Sequence, residues 1–223
     1  VGILGNSRTM AHARYIVGID LGTTNSAVAT IDTLEKSGGS KSIEMLPIDQ
    51  LVAAGEVAPK PLLPSALYLP NASELKPGDT KLPWAEPPYV VGLFAREQGA
   101  RVPGRVVTSA KSWLCHPGVD RRAAILPVEA PEEVARVSPL QATVRYLAHL
   151  RAAWDHQHPD APLTDQEVVL TVPASFDPAA RELTAEAAAT AGLTHLVLLE
   201  EPQAALYHWI LASRGEWRKQ VRV

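Results

Sequence analysis

The segment from residue 15 to residue 31 constrains the fold more than any other part of the chain. An apolar run ends in Asp20, a short polar turn follows, and a run of small and branched residues then alternates from Ala27 to Ile31. Two strands joined by a short turn that contains glycine form a hairpin. This segment therefore predicts two adjacent antiparallel strands with a carboxylate near the end of the first.

The turn of this hairpin has the residue types of a phosphate-binding loop. Gly22 has no side chain, so a ligand can approach the backbone closely. The amides of Gly22, Thr23 and Thr24 and the two hydroxyls could converge on one phosphate, as turn amides do in anion-binding concavities. Asp20 could hold a hydrated cation such as Mg²⁺. Many D-x-G-T turns are plain surface hairpins, so the turn alone leaves both interpretations open.

Four further segments accompany the hairpin string I-D-L-G-T-T-N-S. They are V-V-L-T-V-P-A-S-F-D at 168–177, L-L-E-E-P-Q-A-A at 198–205, V-G and A-R at 91–96 with S-A-K at 109–111, and L-P-S at 63–65. Taken in chain order with the hairpin first, and at this spacing, they resemble the ATPase domain of the seventy-kilodalton heat-shock chaperone (DnaK-type) family. That family belongs to the actin and sugar-kinase ATPase superfamily. The co-occurrence of the five segments identifies the chain as a member of the family.

The resemblance implies which residues would act in ATP hydrolysis. Lys111 matches the family lysine that contacts the terminal phosphate and the attacking water, where a fixed ammonium would stabilise developing charge. Glu201 matches the acid that orients this water or accepts its proton. Its neighbour Glu200 does not align with the Glu-Pro pair and is the less favoured acid. Without the resemblance, Lys111 would be a solvated surface lysine and Glu201 a partner of a helix dipole.

The resemblance also implies a binding loop and a signalling pair. ATP or ADP is expected at the hairpin together with Mg²⁺, which Asp20 would hold through water. The residues assigned to binding the phosphates are Gly22, Thr23, Thr24 and Asn25. In the family, the positions of Pro173 and Arg181 relay the nucleotide state to a peptide-binding domain. A proline after a strand and an arginine in a helix are also common without any such role.

The hydrophobic pattern predicts an α/β fold. Predicted strands cover 15–20, 26–32, 42–47, 66–69, 89–91, 167–172 and 196–199, and predicted helices start near Leu93 and Thr108, at Pro139, at Pro178 after an Asp177 cap, and at Pro202. On the helix after Asp177, the apolar stripe is predicted at Ala179, Leu183, Ala187 and Ala191. Prolines between residues 48 and 88 exclude a long helix there.

The resemblance predicts how these elements are organised into domains. A ribonuclease-H-like lobe, the fold of the actin, sugar-kinase and chaperone ATPases, is expected over residues 15–50 and 116–213, with a smaller α+β subdomain inserted at 51–115. Residues 1–14 are expected to be a disordered leader and 214–223 a connector to a second lobe. No D-x-G-G-G-T string follows within the chain. The chain is therefore expected to be the first half of the ATPase domain and inactive by itself, with an apolar face available for self-association.

Composition limits the other classes of function. A net charge of −3 gives no general attraction to nucleic acid or to anionic membranes, and no run reaches the roughly 18 apolar residues of a membrane span. A single cysteine, Cys115, fits a reducing compartment. The first nine residues lack a signal-peptide core, and Met10 is expected to be the natural start after cloning-derived or upstream sequence. A cytoplasmic location follows from these features.

The favoured function is an ATP-binding half-domain of a chaperone that hydrolyses ATP to drive peptide binding and release. Client peptides and co-chaperones would contact regions outside this chain. The alternative is a non-catalytic nucleotide-binding switch or assembly module of the same superfamily, and a sugar kinase is a weaker third possibility. The proline-rich insertion and the E-P-Q string, where the family has E-P-T, indicate a divergent bacterial-type member.

Overall fold

The computed structural model describes residues 13–35, 43–71, 73–213 and 215–220. The strands are β1 (Tyr15–Leu21), β2 (Asn25–Asp32), β3 (Glu44–Met45), β4 (Ile48–Ala53), β5 (Glu56–Lys60), β6 (Leu63–Pro64), β7 (Ala66–Tyr68), β8 (Val90–Val91), β9 (Val106–Thr108), β10 (Glu167–Val172) and β11 (Leu196–Glu200). The α-helices are α1 (Leu93–Arg101), α2 (Ala110–Leu114), α3 (Pro139–Gln157), α4 (Pro178–Thr190), α5 (Glu201–Ala212) and α6 (Trp217–Gln220). The predictions for residues 1–12 and for residues 214 and 221–223 lie outside the described residues. The mixed α/β class is confirmed.

The main sheet combines a hairpin with two parallel strands. Its strand order is β11-β10-β1-β2-β3, and the short strand β6 also pairs with β2. Strand β1 is antiparallel to β2 and parallel to β10, which is parallel to β11. The carboxyl ends of β1, β10 and β11 therefore lie along one edge of the sheet, which is where ligands bind in open α/β sheets.

One face of this sheet packs on the protein core, and the residues of the other face are mostly half-buried. Successive side chains of a strand point to opposite faces, and in β1 Val17 and Ile19 are fully buried whereas their neighbours are not. Helix α3 contributes Trp154, whose buried indole N–H donates to the carbonyl of Ala161 at 2.8 Å. Helix α5 has no buried residue and leaves Leu206, Tyr207 and Leu211 exposed.

The two long helices begin at the caps that the sequence predicts. Ser138 and Gln141 form a reciprocal capping box ahead of α3, with Pro139 at its first position. The carboxylate of Asp177 accepts the Ala180 N–H at 2.6 Å, and this caps α4. The predicted stripe of α4 is wrong at one position, because Ala179 is exposed and Ala180 is buried. Two adjacent alanines give no sequence signal for choosing between them.

The structure differs from the prediction just before the segment predicted as an insertion at 51–115, and at its start. The strand predicted at 42–47 is reduced to the two residues of β3, and Pro47 separates it from β4, which pairs with β5 in an unpredicted hairpin. Gly55 closes this hairpin with φ +67°. A second sheet with order β8-β7-β9 packs on α1, and Tyr68 and Phe94 lie in its core. None of the helices in the described ranges has both the length and the apolar composition needed to cross a membrane.

A buried histidine joins β4 to the long helix α3. His149 of α3 lies with its Nε2 atom 3.0 Å from the backbone oxygen of Asp49, so this nitrogen donates as a neutral N–H. The ring also packs edge-on against Trp84 with 5.5 Å between the ring centroids. Burial lowers the pKa of His149 from 6.5 to about 4, because the charged form would lose its hydration.

The free energy of unfolding is expected to fall as the pH drops from about 6.5 to about 4. In this window the unfolded chain binds a proton at His149 that the folded chain does not bind, so acid favours unfolding, by up to roughly 3 kcal/mol at the acid end. Urea titrations at pH 7 and pH 5 would measure the change. His149→Gln, which keeps an N–H donor, should reduce the dependence, whereas His195→Gln at an exposed position should not. Equal pH dependence in all three proteins would contradict this assignment.

Candidate functional site

The candidate site lies where the three parallel strands end. Asp20 near the end of β1 is in register with Thr171 of β10, and Val172 is in register with Glu200 at the end of β11. The hairpin turn follows β1, and α5 begins with Glu201 immediately after β11. The topology thus brings the hairpin, the end of β10 and the start of α5, which are distant in sequence, to one edge of the sheet.

The hairpin turn is built so that only glycine fits at its first position. A Cβ atom placed on Gly22 would lie 2.2 Å from the carbonyl oxygen of Asn25, a distance that real Cβ atoms do not show. Gly22 and the Asn25 carbonyl are therefore close to each other across a tight turn. Thr23 and Thr24 are exposed at this turn, and Asn25 is half-buried. Backbone amides and two accessible hydroxyls are groups that suit an anionic ligand.

Asp20 is an exposed carboxylate whose orientation is fixed from the neighbouring strand. The hydroxyl of Thr171 donates to Oδ1 of Asp20 at 2.7 Å. Thr171 lies within the V-V-L-T-V-P-A-S-F-D segment, where no local pattern points to a role for it. Only the parallel pairing of β1 with β10 places it beside Asp20, and sequence alone does not give this register.

Lys111 and Glu201 form a close ion pair, although they are 90 residues apart. The Lys111 Nζ atom lies 2.5 Å from Oε1 of Glu201, and it also lies 6.0 Å from the ring centroid of Phe176. Only 8% of Lys111 is exposed, whereas 43% of the Glu201 side chain remains accessible. A lysine is rarely this buried unless it is paired, so the alternative of a solvated surface lysine does not describe Lys111.

The short helix that carries Lys111 starts at a strained residue. Ser109 has φ +54° and ψ +30°, which places it in the left-handed region although it is not glycine. This conformation turns the chain sharply from β9 into α2, and it directs Lys111 towards the start of α5. Strain of this kind persists only where the surrounding structure holds it, and it is concentrated at functional sites.

The two adjacent acids have different partners. Glu200 forms an ion pair with Arg181 of α4, whereas Glu201 pairs with Lys111 of α2. Pro173 ends β10, and its carbonyl accepts the N–H of Phe176 at 3.1 Å. The structure therefore connects Arg181 to the end of β11, next to Glu201. In the described part of the chain, no hydrogen bond joins the Thr23 or Thr24 hydroxyl to the Lys111–Glu201 pair.

A second arginine fixes the helix that contains Arg181. Arg121 donates to both carboxylate oxygens of Asp177, at 3.1 and 2.9 Å. This hydrogen bonding, together with the Ala180 N–H, lowers the pKa of Asp177 below its ordinary value. Sequence reasoning recognised Asp177 as a helix cap but gave no role to Arg121, since nothing in the sequence shows which arginine reaches it.

Comparison with known proteins gives one family and a consistent set of relatives. The family model described as "Hsp70 protein" matches residues 91–215. The chain is similar to the "Chaperone protein HscA homolog" of Ralstonia pickettii, with 36% identity over 95% of this chain and 31% of the relative. It is similar to the protein of the same name from Bordetella pertussis, at 33% identity over 95% of this chain and 30% of that protein. The chain thus spans about 30% of the length of these curated relatives.

Proposed function

Because the chain belongs to the Hsp70 protein family, we propose that it binds ATP or ADP at this sheet edge and contributes the catalytic groups for ATP hydrolysis in the full-length protein. The observation that carries the proposal is the almost buried lysine at 2.5 Å from an accessible carboxylate, beside the ends of the parallel strands. In the full-length protein, hydrolysis would drive the binding and release of client peptides. Clients and co-chaperones would contact regions other than this chain.

The proposed fold is the ribonuclease-H-like lobe of this ATPase superfamily. It is supported by a sheet in which an antiparallel β1-β2-β3 meander continues into parallel β10 and β11. The proposed lobe covers 15–50 and 116–213, with the insertion at 51–115 and the connector at 214–223. The first of these boundaries falls inside β4. Self-association through an uncovered apolar face of the lobe and a cytoplasmic location both remain predictions.

The residues at the hairpin fit a phosphate group with its metal. Gly22 permits the tight turn, because a Cβ atom there would collide with the Asn25 carbonyl oxygen. In this proposal Gly22, Thr23, Thr24 and Asn25 bind the phosphates, and Asp20 holds Mg²⁺ through water. Magnesium in phosphate sites is bound by one or two carboxylates together with the phosphates, and when bound it neutralises charge on the phosphate oxygens.

The ion pair supplies the acid–base and electrostatic groups. The Lys111 ammonium, fixed by its burial, would stabilise the charge that develops on the terminal phosphate. The partly exposed Glu201 carboxylate can reach a water molecule, which it would orient and from which it would accept a proton. Pro173 and Arg181 are proposed to transmit the nucleotide state. Arg181 forms an ion pair with Glu200, which directly precedes Glu201.

Replacing Glu201 with glutamine in the full-length protein is expected to slow ATP hydrolysis about 100-fold or more, because glutamine cannot accept the proton. Its neighbour supplies the matched control. Glu200→Gln removes a charge at the adjacent position but leaves the Lys111–Glu201 pair intact, so intrinsic hydrolysis should change by less than about threefold. Steady-state phosphate release, with ATP affinity measured by calorimetry, distinguishes the two variants.

The same measurements decide between the enzyme and the non-catalytic alternative. ATP binding without hydrolysis by the unmodified protein would support a nucleotide-binding switch and exclude the catalytic roles. Absence of ATP and ADP binding would exclude both. Equal slowing by the two glutamine variants would contradict the specific role of Glu201.

A further inference from the structure

A buried serine lies directly beneath the hairpin turn. Ser65 sits between β6 and β7 and is 6% exposed. Its hydroxyl donates to the carbonyl oxygen of Gly22 at 2.7 Å, and its backbone N–H donates to the carbonyl oxygen of Thr24 at 2.9 Å. Ser65 therefore hydrogen-bonds the carbonyl groups of Gly22 and Thr24, the two residues that flank Thr23. Ser65 is the last residue of the L-P-S string, which by itself indicates no function for this serine.

Fixing these two carbonyls also fixes two amides. In a trans peptide the C=O group and the following N–H group lie in one plane and point in opposite directions. The Gly22 carbonyl shares its peptide with the Thr23 N–H, and the Thr24 carbonyl shares its peptide with the Asn25 N–H. Since both carbonyls point towards Ser65, the amides of Thr23 and Asn25 point away from it. The two donors are thereby aimed away from the serine, on the side where Thr23 and Thr24 are exposed.

Contacts from Tyr146 and Ser26 fix Ser65 in place. The hydroxyl of Tyr146 on α3 lies 3.2 Å from the carbonyl oxygen of Ser65 and 3.4 Å from that of Val107 in β9. Burial raises the pKa of Tyr146, so this hydroxyl stays protonated as a donor. The Oγ atom of Ser26 lies 3.3 Å from the Oγ atom of Ser65. The N–H, carbonyl and hydroxyl of Ser65 are therefore all engaged, which fixes the serine relative to the sheet and to α3.

We propose that Ser65 is a positioning residue for the phosphate-binding loop, which orients the Thr23 and Asn25 amides towards the phosphates of ATP. This inference rests on the proposed function. Loss of the hydroxyl would leave the Gly22 carbonyl without its buried donor, and the Gly22–Thr23 peptide could then rotate to find another. The rotation would turn the Thr23 amide away from the ligand.

The test compares Ser65→Ala with a matched control in the full-length protein. The Kd for ATP should rise about tenfold, as expected for one lost buried hydrogen bond. The single-turnover hydrolysis rate at saturating ATP should change by less than about threefold, because these amides contact the ground state and the transition state alike. Ser26→Ala removes an equally buried hydroxyl that contacts Ser65 but bonds no loop carbonyl, so ATP affinity should stay within about threefold.

A second substitution covers the possibility that Ser65→Ala fails to fold. Ser65→Cys keeps the shape of the side chain but offers only a weak donor, so it should raise the Kd as well. Wild-type affinity in a folded Ser65 variant, or an equal rise in Kd in Ser26→Ala, would overturn the positioning role. If the unmodified protein binds no ATP, the proposed function fails and this inference fails with it. If the unmodified protein binds ATP normally and a Ser65 substitution leaves the Kd for ATP unchanged, the positioning role of Ser65 is refuted and the proposed function stands.

Discussion

Lys111→Met should slow ATP hydrolysis by the full-length protein by a factor of about 100 to 1,000, which is the cost of removing one fixed donor from a developing charge. Methionine retains a flexible apolar side chain of similar length, while the ammonium and its contacts with Glu201 and the Phe176 ring are lost. The affinity for ATP should fall far less, because the ammonium is assigned to charge that appears mainly in the transition state. The effect should therefore be found in the chemical step.

Single-turnover kinetics at saturating ATP measures this step, and equilibrium titration measures the affinity separately. Lys81→Met is the matched control, because Lys81 is exposed in the inserted region and the same charge is lost there. Its hydrolysis rate should equal that of the unmodified protein. If folded Lys111→Met hydrolyses ATP at the normal rate, Lys111 serves only as the structural partner of Glu201.

Gly22→Ala should weaken ATP binding about 100-fold, because small displacements of binding groups cost this much. The added Cβ atom would lie 2.2 Å from the Asn25 carbonyl oxygen, which belongs to the backbone and cannot move aside without opening the turn. An opened turn separates the amides that are proposed to converge on the phosphate. Both the affinity and the rate at low ATP concentrations should fall together.

Gly18→Ala provides the control for this substitution. Gly18 lies in β1, the strand that leads into the turn, and a Cβ atom there would meet its nearest neighbour, the Ala29 carbonyl oxygen, at an ordinary 3.9 Å. Calorimetric titration with ATP should give near-normal affinity for Gly18→Ala and very weak binding for Gly22→Ala. Normal affinity in Gly22→Ala would show that phosphate does not bind at this turn.

The parts of the fold that follow from local signals were predictable. The β1-β2 hairpin, the capped starts of α3 and α4, and the span of β10 depend on residues close in sequence, so their patterns are visible. The β4-β5 hairpin was missed because its strands contain Pro59 and follow Pro47, and prolines weaken any strand pattern. Edge strands tolerate proline, but sequence alone does not show which strand is at an edge.

The chemistry of the candidate site was only partly visible in the sequence. Residue types and their order pointed to Lys111, Glu201 and Asp20, but not to the contacts that connect them. The Lys111–Glu201 pair and the Thr171–Asp20 bond join residues 90 and 151 positions apart. Such contacts depend on strand register and on helix start points, where an error of one residue selects a different side chain. The assignment of separate partners to Glu200 and Glu201 needed the three-dimensional structure for this reason.

Because Glu200 and Glu201 are adjacent at the start of α5, the number of residues between α4 and this junction is constrained. Glu200 reaches back to α4 and Glu201 reaches across to α2, and no spacer separates them. A one-residue deletion or insertion between α4 and this junction would move each acid into the other's place or remove one from reach. Natural variants should therefore tolerate changes of residue type in the turn at 191–195 more readily than changes in its length.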